Sequence, residues 1–224
     1  MNRACPSHER TGRQPCQVRD NGAGSVYLGR PGGPAKDDLP AVSVQRHNGR
    51  QAHMETWDAI RSRRNVRSFD GQPIPARDLD QVLEAGRRAP SSQNWQPWDF
   101  IVITKRSELR ELATVWRGAG HVAEAAAAIA LIAPVTSDER RAAAIQYDLG
   151  QATVSMMIAA ADLGIGSSHA GVGDQDHARR LLRFPEDRRC AYLISLGYPA
   201  ARPLAPVIKP DRRPFAEMVH REHW

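Results

Sequence analysis

Arg63, Arg64 and Arg67 gather three guanidinium groups within five residues, with Asn65 between them. Guanidinium forks match phosphate oxygens bidentately, and a helix end or turn would bring such spacings onto adjacent faces. Asn65 adds a side-chain amide that can donate to a phosphate or a carbonyl. Some two dozen residues later runs Pro90-Ser91-Ser92-Gln93-Asn94-Trp95-Gln96-Pro97-Trp98, a polar loop leading into an apolar stretch. Together the two segments point to a site for a phosphate-bearing, ring-containing cofactor. Each also has a plainer reading: a solvated basic turn for the first, a helix stop and turn for the second.

Residues 54–63 carry Trp57 and Ile60 at helical spacing and run into the basic segment, which predicts a short helix ending in a turn. Residues 76–88 place Leu79, Val82, Leu83 and Ala85 on one face, and Pro90 stops that helix. Residues 99–104 predict a buried strand, 107–116 a helix, and the apolar run 127–135 a central strand. The longest helical pattern spans 137–163, and its second half is apolar nearly all round. Such a helix must be covered on several sides, so a dimer interface is expected, with a central helix of a monomer as the alternative. A short strand at 167–172, a helix at 176–182 and a strand at 190–196 follow. A Pro-punctuated extended tail with Lys209, Arg212 and Arg213 closes the chain. Trp98, at a strand start, is expected in the core.

The 224 residues suit one domain with an appendage, and 41% apolar residues suffice for a core. The longest apolar run, 125–135, falls far short of the roughly 18 to 20 residues of a membrane span, so no membrane association is expected. Residues 1–53 hold eight Lys/Arg against four Asp/Glu, seven Gly, five Pro and one aromatic, Tyr27, without apolar periodicity. They are expected to be a disordered basic extension. Their charge is 8 − 4 = +4 of the total +6, which leaves +2 for residues 54–224 and weakens any inference to nucleic acid. The extension lacks the apolar core of a secretory signal; start-site choice is a further reading, because Met54 precedes the first helical pattern. Cys5, Cys16 and Cys190 make no disulfide framework or metal set, and a reducing cytoplasm fits.

In order and spacing, several pieces resemble the FMN-dependent nitroreductase family over nearly all of residues 54–224. These are Arg-Arg-x-x-Arg-x-Phe at 63–69, Ala-Pro-Ser-Ser-x-Asn-x-Gln-Pro-Trp at 89–98, Ala161-Asp162-Leu163-Gly164, Leu196-Gly197-Tyr198-Pro199 and Arg212-Arg213-Pro214. The resemblance implies an α+β fold, a three-layer α/β/α sandwich with a mostly antiparallel central sheet, dimeric, with FMN at the subunit interface. It implies that Arg63 and Asn65 face the FMN phosphate and ribityl chain, that Arg64 is a further cofactor-binding residue, and that Arg212, with Lys209 as a further candidate, completes the phosphate clamp. Arg67 would lie at the N1/C2 edge and tune the flavin, as a cation there stabilises negative charge on the reduced ring. Pro90, Ser91, Ser92 and Asn94 would reach the ring from the partner subunit, and Gly171 and Val172 would pass its N5.

The implied activity is ping-pong reduction, by NADH or NADPH, of nitro compounds, quinones or related small organic acceptors, with the chemistry on FMN. Two departures stand out. Where many relatives carry a carboxylate or a Gly-Gly pair, this chain has His169-Ala170, and His169 is either a proton donor in the substrate pocket or a structural histidine. The segment Arg117-Gly118-Ala119-Gly120-His121 lacks an amide side chain, and His121 is a candidate for the ring edge. Rival readings are a flavin-using benzimidazole synthase or dehalogenase of the same fold, a non-catalytic flavin-binding protein, and nucleic-acid binding through the basic extension.

Overall fold

A computed structural model describes residues 54–224; the expected disordered extension over residues 1–53, with Cys5 and Cys16, lies outside the described residues. The chain opens with helix α1 (Thr56–Ser62) and α2 (Ala76–Arg87), then β1 (Asp99–Ile103), α3 (Arg106–Leu112) and β2 (Ala127–Pro134). Helix α4 (Glu139–Asp162) follows, then β3 (Gly166–Gly171), α5 (Gln175–Leu182), β4 (Arg188–Gly197) and a one-turn helix α6 (Phe215–Met218). The periodicities in the sequence locate all but α6, with ends shifted by one to a few residues.

The strands form one sheet in the order β1-β2-β4-β3, and every neighbouring pair is antiparallel. β2 is interior, as its unbroken apolar run requires: Ile129 and Leu131 face one side while Ala128, Ala130 and Ile132 face the other. A bulge between Leu131 and Ile132 leaves Ala191 of β4 without an opposite residue. One face of the sheet packs on α2 and α4 through Leu79, Val82, Ile145, Leu149, Ala152 and Met156. The other packs on α3 and α5 through Leu109, Leu112 and Ala178. The result is the expected α+β, three-layer α/β/α sandwich. Trp98 is buried in the first of these cores and stacks on Phe100.

Helix α4 has 24 residues, about 36 Å at 1.5 Å per residue, and reaches across the sheet. Asp138 caps it by accepting from Arg141 N–H, and Gly164, at φ +72, turns the chain away at its end. Its buried stripe lies on the sheet, whereas Tyr147 and Val154, two turns apart on another face, are exposed. Among the described residues no helix is long and apolar enough to cross a membrane.

Candidate functional site

The arginine segment is not the helix end or turn that its spacing suggests. Helix α1 stops at Ser62, and Arg63 is already extended, at φ −62 and ψ 118. The backbone finds its partners in the sheet instead: Val66 N–H donates to Ser167 O at 2.9 Å, Asn65 bridges Ser167, and Phe69 bridges Pro199. In an extended chain successive side chains alternate. Val66 therefore turns inward with Ala161 and Leu204, while Arg64 donates to Arg202 O at 2.7 Å. Arg63, Asn65 and Arg67 share the opposite side, and Arg63 Nη1 donates to Asn65 Oδ1 at 3.4 Å.

Two glycines seat this segment. A Cβ on Gly166 would lie 2.7 Å from Val66 Cβ, and one on Gly197 would lie 2.7 Å from Phe69 Cδ1. Any side chain at either position would push the arginine segment off the sheet end. Gly166 thus belongs to β3 and makes room for its neighbour; Gly164 alone ends the helix.

Among the described residues none of Arg63, Arg64 and Arg67 pairs with a carboxylate, although nine other ion pairs join basic and acidic side chains elsewhere. Arg67 is exposed. A set of guanidinium groups left free of carboxylates is chemically suited to an anionic ligand.

The 90–98 loop forms a short 3-10 turn at Ser92–Asn94, in which Gln93 and Asn94 have φ 53 and 56, and Gln96 follows at φ 53. Three left-handed non-glycine residues within four positions are costly, and only asparagine tolerates that region readily. Side chains hold the conformation: Gln96 N–H donates to Ser91 Oγ at 2.9 Å, and Ser92 N–H donates to Asp148 Oδ2 at 3.0 Å. Pro90 and Asn94 are exposed beside them.

On β3, His169 is exposed, Gly171 has open space above it, and Val172 lies partly buried beyond the strand. His121 follows a Gly-rich turn. Ser195 Oγ–H donates to Ser168 O at 3.2 Å, so Ser195 accepts from His121 Nδ1–H at 2.8 Å. That leaves His121 Nε2 as a bare acceptor, buried and without a hydrogen-bond partner among the described residues. Burial first, then Arg67 and His169, lower the His121 pKa, which places both of these side chains within electrostatic reach of His121. The chain's two departures thus converge beside Arg67.

The C-terminal segment approaches the arginine segment through Leu204, packed with Val66, and through Val207 N–H, which donates to Arg61 O at 3.1 Å. Lys209 and Arg212 are exposed a few residues further on. Arg212 Nη1 donates to Asp211 O, and among the described residues no hydrogen bond ties Lys209 or Arg212 to Arg63 or Arg67. Asp148 and Ser195 are site residues that no motif in the sequence marks. An aspartate between Ile145 and Ala152 in the apolar stripe of α4 is the available signal for the first, and a serine hydroxyl set among Leu193, Ile194 and Leu196 is the signal for the second.

A sequence model of the nitroreductase family matches residues 60–129 and 112–198. A candidate NADH dehydrogenase/NAD(P)H nitroreductase of Archaeoglobus fulgidus is 31% identical over 174 residues, which cover 76% of this chain and 99% of that protein. Among solved structures, an FMN-dependent nitroreductase of Clostridium difficile superposes with a TM-score of 0.64 at 24% identity, over 74% of this chain and 98% of the other. An NADPH:FMN oxidoreductase of Vibrio harveyi, complexed with NAD+, does so with a TM-score of 0.60 at 24% identity, over 74% and 76%. These likenesses share the fold, and the family match spans the arginine segment, the polar loop and all four strands of the sheet; the chain belongs to the nitroreductase family.

Proposed function

We propose that this protein is an FMN-dependent oxidoreductase that takes hydride from NADH or NADPH and reduces nitro compounds, quinones or related small organic acceptors in a ping-pong cycle. The observation that carries the reading is the face of Arg63, Asn65 and Arg67 at the end of β3, which among the described residues meets no carboxylate, together with His121 Nε2, buried and without a partner among those same residues. The residues present fit FMN: fixed cations for a phosphate, polar loop groups for a heteroaromatic ring edge, and open space over Gly171 for a planar ring. FMN, when bound, supplies the hydride-carrying ring.

In this reading Arg63 and Asn65 hold the phosphate and ribityl end, with Arg64 fixing the segment through Arg202 O, and Lys209 and Arg212 add charge from the C-terminal side. Arg67 stabilises negative charge on a reduced ring. Ser91, Ser92 and Asn94, after Pro90, supply polar contacts, and Gly171 and Val172 form the floor. His169, exposed on β3, offers a ring N–H to an acceptor that takes up electrons.

The functional unit in this proposal is a homodimer. Trp57 and Ile60 on α1, Tyr147 and Val154 on α4, and Ile208, Phe215, Met218 and Trp224 in the C-terminal segment are exposed, large apolar side chains that a second subunit would cover. Free, buried Cys190 and a nicotinamide donor suit a reducing compartment, and the cytoplasm is the proposed location.

The test is the visible spectrum of the purified protein together with steady-state NAD(P)H oxidation in the presence of a quinone or a nitroaromatic. A yellow protein that turns over is expected. A colourless protein that cannot be reconstituted with FMN overturns the proposal, and bound FMN without turnover leaves a flavin-binding protein that is not an enzyme.

A further inference from the structure

Asp148 is fully buried in the middle of α4, yet among the described residues its carboxylate meets no cation. It accepts from Ser92 N–H at 3.1 and 3.0 Å, from Ser92 Oγ–H at 3.3 Å and from Gln151 Nε2–H at 3.3 Å. A charge taken out of water and matched only by neutral donors is costly, so its worth must lie in what it holds.

What it holds is the loop with left-handed Gln93, Asn94 and Gln96, a conformation that glutamine does not favour by itself. A second tie comes from the same helix: the Arg141 guanidinium lies 4.2 Å over the Trp95 ring. Arg141 and Asp148 are seven residues apart, two turns, so both project from one side of α4 onto the loop.

We propose that Asp148 is a positioning residue for the cofactor pocket, gripping Ser92 and so clamping residues 91–96 in their left-handed conformation, in which Ser91 and Asn94 are presented ready-made, with Arg141 as a weaker second clamp. The inference rests on the FMN reading above. Without the clamp the loop samples other conformations, and the observed dissociation constant rises in inverse proportion to the time spent in the competent one.

The experiment strips FMN from the purified protein and titrates it back by flavin fluorescence, for the wild type, Asp148→Ala, Asp148→Asn and Arg141→Ala. Circular dichroism and the melting temperature of each apoprotein are followed in parallel. Asp148→Ala is expected to raise the FMN Kd by about ten-fold or more, with faster FMN release. Asp148→Asn, which keeps one oxygen for Ser92 N–H, recovers part of that loss and, at saturating FMN, retains kcat within about two-fold of wild type, because Asp148 touches no reacting atom.

Arg141 is exposed, and Arg141→Ala is expected to raise Kd by about two- to five-fold while leaving the apoprotein melting temperature unchanged. Should Asp148→Ala fail to fold, Asp148→Asn and Arg141→Ala decide. Wild-type FMN affinity in both of those variants overturns the clamp, whereas a wild type that binds no FMN overturns the cofactor reading on which it rests.

Discussion

Arg63 and Arg67 stand on one side of an extended segment and, among the described residues, meet no carboxylate to neutralise them, which is the residue-level basis for expecting an anion there. Arg63→Ala should weaken FMN binding by about 1.5 to 3 kcal/mol, the range for hydrogen bonds to charged groups, in a fluorescence titration; equal affinity would remove Arg63 from the site. His121 offers an independent check. Burial first, then the nearby Arg67 guanidinium and the His169 ring, hold its pKa below the ordinary 6.5, so the folded chain resists protonation of a ring whose Nδ1 faces Ser195. The unfolded chain takes up a proton near pH 6.5 that the folded chain refuses. Stability is therefore fully present above that pH and declines as pH falls toward the folded pKa. His121→Gln should flatten this decline in denaturant titrations at about pH 7.5 and about pH 5.5, whereas an unchanged slope would assign it to other groups. Cys190 behaves differently: burial pushes its thiol up to about 12, against a small opposing pull from Arg189, which makes it a core residue and not a reactive one.

At the scale of elements, the arginine segment owes its place to close approach at two points on the sheet end. Gly166→Ala would set a methyl 2.7 Å from Val66 Cβ, where the only relief is to displace the segment. A loss of about 1 to 3 kcal/mol in stability is expected from overpacking, accompanied by weaker FMN binding because Asn65 is the residue that bridges Ser167. Chemical denaturation and the FMN titration read the two effects separately; a stability loss with unchanged affinity would mean that the segment's position does not matter to the ligand. Periodicity made the helices and strands legible, since Leu79, Val82 and Leu83 in α2 and the unbroken run of β2 state their own burial. It could not reveal that residues 63–69 pair with the sheet, because Asn65 finds Ser167 about a hundred positions away. Nor could it reveal the left-handed loop, whose conformation is held by Asp148 from another element.

For the molecule as a whole, the proposed dimer gathers its exposed apolar side chains from α1, α4 and the C-terminal segment. Removing residues 208–224 takes away Ile208, Phe215, Met218, Val219 and Trp224, all exposed, and is expected to shift the protein toward monomer in sedimentation velocity. A truncated chain that sediments as the full-length protein does would place the interface elsewhere. The net charge argues little at this scale, since +4 of the total +6 belongs to residues 1–53.

The sequence by itself determined the α+β layering, the buried strands, the length of α4 and the family resemblance, because hydrophobic period and motif order are local or nearly local properties. The spacing of the arginines also named an anion-binding chemistry before any contact was known. Only the tertiary structure decided which side chains share a face: that Arg63, Asn65 and Arg67 alternate away from Arg64, that His121 lies within reach of Arg67 and His169, and that Asp148 grips Ser92. Those relations depend on pairings between residues far apart in the chain, and a pairing becomes definite only when packing fixes both partners.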